Sequence, residues 1–92
     1  MTTWQITESM TKQTVPALYR QYRRAFRDLS ALHIACAKAA HIDSAGVAWL
    51  LDCVREAKQY NVALTLSGLP NKTIALIKAQ GVWPLLSGVI KE

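Results

Sequence analysis

Glycine is scarce in this chain. The four glycines stand singly at 46, 68, 81 and 88. Neither a GxGxxG loop nor a Walker-type phosphate loop can be assembled from them. The two cysteines, Cys36 and Cys53, are far apart, form no CxxC or Cys/His ligand pattern and lie in apolar contexts. They read as buried free thiols, and no metal site or cofactor is expected. Long apolar runs are missing too. Stretches such as Val47 to Leu51 fall well short of the about 20 residues that a membrane span needs. The first ten residues lack the basic start and apolar core of a secretory signal. A soluble, cytoplasmic chain is therefore expected. Acids are few, six against eleven lysines and arginines, for a net charge of +5. No two of them are spaced for acid/base work. His41, Asp43 and Ser44 are near neighbours, but adjacency in sequence splays side chains apart, so no catalytic set is read there.

What remains is the material of one small α/β domain spanning residues 1–92, with its core at about 4–86. Its 51% hydrophobic content is ordinary for a globular protein. Trp4 to Met10 reads as a short strand with Trp4, Ile6 and Met10 inward. Thr14 can cap a helix, and Pro16 fits its first turn. That helix is expected over Val15 to Leu29, with Leu18, Tyr22, Ala25 and Leu29 as its buried stripe and Phe26 beside it. Arg20, Arg23, Arg24 and Arg27 fall mostly on its other side. They read as a solvated face, because neither interleaved aromatics nor a helix-turn-helix pattern accompanies them. No nucleic-acid partner is expected.

Leu32 to Ile42 is apolar at nearly every position. Such a strand belongs in the middle of a sheet covered by helices. His33 and His41 within it read as satisfied structural histidines. A helix over 45–60 follows, with Val47, Leu50, Leu51, Val54 and Ala57 on its core side. Trp49 lies nearly opposite the centre of that stripe on a helical wheel. It is either a partner anchor or covered by a later segment. Val62 to Leu66 is a third strand. Asn71 can cap a helix over Lys72 to Gln80, which Gly81 stops, and Val82, Trp83, Leu85 and Leu86 supply further apolar cover. The order β-α-β-α-β-α implies a mostly parallel, at most mixed, sheet with helical cover.

The most informative stretch is Ala40-His41-Ile42-Asp43-Ser44-Ala45-Gly46-Val47. An apolar run ends there and a helical pattern begins. An acid and a hydroxyl therefore stand where a helix exposes unpaired N–H groups, a position that suits negative charge. Asp43, Ser44, Ala45, Trp49 and Asp52 are the candidate partner-binding residues.

Ile42-Asp43-Ser44-Ala45-Gly46-Val47 resembles the apolar-Asp-Ser-x-Gly-apolar signature of STAS domains, the fold of bacterial anti-anti-sigma factors. Ala48-Trp49-Leu50-Leu51 and Val62 to Leu69 match the family in type and spacing as well. The resemblance implies a STAS-type fold and a non-catalytic protein-binding role. It also implies that Ser44 stands at the position a partner kinase can phosphorylate. The N-terminal part has room for one strand where many members have a pair, and Ser9-Met10-Thr11-Lys12-Gln13 replaces the usual Gly-x-Leu-Asp type segment. In these respects the chain is similar to the small STAS subunit of the Mla phospholipid-transport system. That likeness implies a partner, the cytoplasmic ATPase of an ABC transporter that maintains outer-membrane lipid asymmetry. It also implies peripheral attachment to the inner membrane through that partner. The anti-anti-sigma reading is the alternative.

Overall fold

The computed structural model of the chain describes residues 2–22 and 24–91. Arg23, one of the four arginines noted above, lies outside them. The elements are β1 (Thr2–Gln5), α1 (Val15–Tyr22), a 3-10 turn of helix (Ala25–Asp28), β2 (Ala31–Ala35), α2 (Ser44–Gln59), β3 (Ala63–Ser67), α3 (Asn71–Ala79), α4 (Trp83–Leu86) and β4 (Ile90–Lys91). The four strands form one sheet in the order β1-β2-β3-β4, with every neighbouring pair parallel.

Strand alternation decides which residues meet. Trp4, Ile34, Leu66 and Ile90 are register partners across the sheet, and Leu32 faces Leu64 one step away. Leu32, Ile34 and Leu66 are fully buried, and each contributes roughly 1.5–3 kcal/mol by leaving water. Sequential parallel strands joined by right-handed crossovers place all their connecting helices on one face. The burial pattern agrees. The opposite face carries Thr3, His33 and Thr65 in one row and Gln5, Ala35, Ser67 and Lys91 in the next, and none of these is buried.

β2 is interior, as its apolar character predicts, but it ends at Ala35 and only one of its faces is covered. The segment after it turns, and Ile42 returns as a single parallel bridge to Met10. His33 lies on the open face, with Nδ1 2.7 Å from the Thr65 hydroxyl and Nε2 2.7 Å from that of Ser67. It is a satisfied structural histidine. His41, by contrast, is exposed.

Other boundaries moved for local reasons. β1 lies earlier than Trp4–Met10, although Ile6 and Met10 are buried and Trp4 half-buried, as their alternation implied. Thr14 does not cap α1 through its side chain. Its Oγ1 accepts from the Thr11 N–H at 2.9 Å and donates to the Ser9 carbonyl at 2.5 Å, tying the preceding loop instead. The first helix stops at Tyr22, and a 3-10 turn carries Phe26 into the core against the Trp4 ring edge, 5.4 Å between centroids. Asn71 is the first residue of α3; Pro70 holds the cap position without a side-chain bond.

One close approach fixes how α2 enters. The Met10 N–H donates to the His41 carbonyl at 2.8 Å, and the Asp43 N–H donates to the Met10 carbonyl at 3.1 Å. Gly46, in the first turn of α2, packs directly on this exchange. A Cβ there would lie 2.5 Å from the Met10 carbonyl oxygen and 2.8 Å from Ile42 Cγ2. Backbone cannot yield as a side-chain tip can. Gly46→Ala is therefore expected to destabilise the fold by about 3 kcal/mol, the upper part of the range for overpacking, despite alanine's better helix propensity. Chemical denaturation of the two proteins side by side measures this.

Candidate functional site

The start of α2 is held as a rigid platform. Asp43 is its N-cap: Oδ1 accepts from the N–H groups of Ala45 at 2.8 Å and Gly46 at 3.2 Å. Oδ2 reaches outside the helix and accepts the Lys12 N–H at 3.2 Å. One carboxylate thus satisfies two orphan helix donors and anchors the 10–12 loop. Burial works to raise its pKa. The donors on Gly46, Lys12 and Ala45 outweigh that, aided by the nearby His41, and hold it below 3.8.

Ser44 is the first residue of α2 and is exposed. Its hydroxyl oxygen accepts a hydrogen bond from Gln80 Nε2 at 2.6 Å. Gln80, the residue after α3, is a member of this surface that sequence reasoning missed. Only its place beside the helix-stopping Gly81 marks it, and that says nothing about its reach to Ser44. Both Asp43 and Ser44 stand where the helix exposes its unpaired N–H groups, as the sequence indicates. Asp43 alone caps it. Ala45 is half-buried beside them.

Trp49 is not an exposed anchor. It is 2% exposed, and what covers it is an earlier segment, α1. Its ring lies 6.0 Å from that of Tyr22, which stacks in turn on Trp4 at 4.1 Å. The helical wheel placed it opposite the sheet-facing stripe, but α2 is buried on two sides. Val47, Leu50, Val54 and Ala57 form the expected stripe, while Trp49 and Cys53 fill a second one.

Asp52 turns toward α1 rather than extending the Ser44 surface. Its carboxylate accepts from the Tyr19 hydroxyl and pairs with Arg55 Nη1 at 3.2 Å. Burial, then the hydrogen bond to Asp52, pushes the Tyr19 hydroxyl up to about 12. Between α1 and α2 these side chains border a groove of about 480 Å³, with Tyr22 and Trp49 in its wall and Arg20 and Glu56 at its sides. Cys36 and Cys53 are free and buried. Burial raises both thiols, Cys36 to about 11, so neither is a thiolate nucleophile at neutral pH. Among the described residues, no three His, Cys, Asp or Glu side chains gather as a metal site, and no helix is long and apolar enough to cross a membrane.

A one-sided parallel sheet, covered by helices and carrying a tightly capped helix with an exposed hydroxyl at its first residue, defines a small α/β domain. Comparison with solved structures gives the same class. The chain is similar to the crystal structure of a sulfate transporter family protein from Wolinella succinogenes, with a TM-score of 0.76 at 13% identity, over 97% of this chain and 74% of that one. At that identity the likeness is one of fold. The profile of the family described as "Mlab, STAS domain" matches residues 2–87, and the chain belongs to that family, one of small accessory or regulatory domains. No curated protein matches it in sequence.

Two expectations follow from the site. Trp49→Ala removes a buried ring and is expected to cost about 3–5 kcal/mol, read as a large drop in melting temperature. Asp43→Asn keeps a capping acceptor but loses the charge at the helix start, so about 0.5 kcal/mol should be lost at pH 7. Because the folded-state pKa of Asp43 is depressed, this charge stabilises the fold above the unfolded value and ceases to as pH falls through the folded one. The stability gap between wild type and Asp43→Asn is therefore expected to close below pH 3.8, which denaturation curves at a series of acidic pH values will show.

Proposed function

We propose that this chain is a non-catalytic accessory subunit that binds and regulates the cytoplasmic ATPase of an ABC phospholipid transporter, one that maintains outer-membrane lipid asymmetry. On this reading it works in the cytoplasm, held at the inner membrane by its partner, with no cofactor and no nucleic acid. Membership of the family described as "Mlab, STAS domain" supports it. The observation that carries it is the exposed Ser44 hydroxyl on a helix start fixed by Asp43. A partner meets that hydroxyl already in place, so little ordering entropy is lost on docking. Asp43, Ser44 and Ala45 form the proposed contact, with Gln80 beside them. Asp52, turned toward Tyr19, and the buried Trp49 lie outside that contact.

The alternative, an anti-anti-sigma factor switched by phosphorylation of Ser44, shares this surface. The geometry gives a phosphate there little reward. The Ala45 and Gly46 donors are already taken by Asp43, and the added charge would stand next to that carboxylate. Phosphorylation of Ser44 would act by repulsion, not by being captured.

Pull-down of the tagged chain from native membranes and cytoplasm tests the proposal. An ABC ATPase with its permease is expected to co-purify; a serine kinase or sigma regulator in their place would establish the alternative. Ser44→Ala removes only the bond from Gln80 and is expected to change stability by no more than about 0.5 kcal/mol. Ser44→Asp is expected to fold and to lose the ATPase. Pull-down and melting temperature measured on the same preparations separate a lost contact from a lost fold.

A further inference from the structure

The acids of the chain are distributed unevenly. None occurs from Ser9 to Arg27, and that segment holds Lys12 and four arginines. Arg20, Arg24 and Arg27 are exposed. Among the described residues the single ion pair is Arg55 with Asp52, so these three guanidiniums have no carboxylate of their own. Arg20 also stands between two depressions. On one side is the aromatic-walled groove between α1 and α2. On the other is a shallower hollow that it shares with Gln21, Arg24 and Ala25.

We propose that this face is a second docking surface, which takes an acidic protein segment: carboxylates on Arg20 and Arg24, and an adjacent apolar side chain in the groove against Tyr19 and Tyr22. The inference rests on the reading of the chain as an interaction domain, but on a different surface from Ser44. Arginine forks suit carboxylates, and exposed arginines beside aromatic rings are common interface anchors. The split of charge across the groove favours a narrow acidic segment over an anionic bilayer. Positive charge without a carboxylate partner lies along α1, while the α2 side carries Asp52 and Glu56 with a single arginine, Arg55, already paired with Asp52. A broad anionic surface would meet both, whereas a segment can place its acids on the α1 side only. Among the described residues the exposed large hydrophobic is Leu85, which belongs to α4, so the described part of this face offers no apolar wedge for a membrane.

The test uses the full chain, isotope-labelled for NMR, with two capped peptides: Glu-Glu-Leu-Phe-Glu-Glu and the same peptide with Gln for every Glu. The acidic peptide is expected to shift the amides of Tyr19–Arg24 and Asp52–Glu56 and the Trp49 indole, and the Gln peptide is expected to bind much more weakly. The double variant Arg20→Gln/Arg24→Gln should keep its melting temperature and lose about tenfold in affinity. Ser44→Asp should bind the peptide as wild type does. Equal binding of both peptides, shifts confined to another face, or no binding of the acidic peptide overturns the proposal. So does arginine-dependent sedimentation with phosphatidylglycerol vesicles in place of peptide binding, which would assign the face to a membrane. Peptide binding here without ATPase in the pull-down would instead overturn the transporter reading and leave this one standing.

Discussion

The architecture depends on one close contact, the seating of Gly46 on the backbone of Met10. Met10 has no side-chain freedom to contribute: it is fully buried, and both its N–H and its carbonyl are committed to the chain on either side of Ile42. Only a residue without a Cβ lets the first turn of α2 come this near. Once it does, Asp43 falls within reach of two helix N–H groups and of the Lys12 N–H at once. Cap, loop anchor and helix direction are therefore consequences of a single packing distance. The exposure of Ser44 follows from the same geometry, since it is the first helical residue and Asp43 has taken the inward, capping role.

The second constraint is that α2 serves two layers. Its sheet-facing stripe covers β2 and β3, and its Trp49–Cys53 side meets α1. The rings of Phe26, Trp4, Tyr22 and Trp49 form a continuous run from the 3-10 turn through β1 and α1 to α2. This run gives the edge strand β1, whose own residues are mostly exposed, a fixed relation to the helical layer. It also explains the groove. Helices held apart by rings as large as Trp49 and Tyr22 leave a furrow at their surface, and the Tyr19–Asp52 hydrogen bond bridges it.

Element types were legible because they depend on local pattern. The run from Leu32, the helical spacing from Val47 to Ala57 and the Asp-Ser-x-Gly junction each mark a structure whose determinants are near in sequence. The one-sided sheet was not legible. Ala31, Ala35 and Ala63 look as apolar in the sequence as a covered face would, and only the sequential strand order reveals that nothing crosses to the other side. Trp49 was misjudged for a related reason. A helical wheel shows one stripe facing one layer, and it holds no information about a second element packing away from that stripe. Within the candidate site, Asp43 and Ser44 stood out through their position before a helix. Gln80 and Tyr19 did not, because they reach the site through contacts 36 and 33 residues apart in the chain.

The division of labour between Asp43 and Ser44 bears on how such a junction can be regulated. A hydroxyl at a helix start is commonly thought of as a receptor for phosphate, because free N–H groups await it. Here the receptor is already filled from within by the neighbouring carboxylate, whose depressed pKa keeps it ionised at all but strongly acidic pH. The site therefore offers a partner a fixed, uncharged donor and acceptor beside a permanent negative charge. A charge added at Ser44 finds the Ala45 and Gly46 N–H groups already taken and only the neutral Gln80 amide as donor, so it alters the surface mainly by repulsion. Because the Gly46–Met10 contact holds the backbone in place, that repulsion has no conformational outlet in the first turn of α2. It falls on whatever is docked there, so the rigidity that presents Ser44 would also make its charge state decisive for a bound partner.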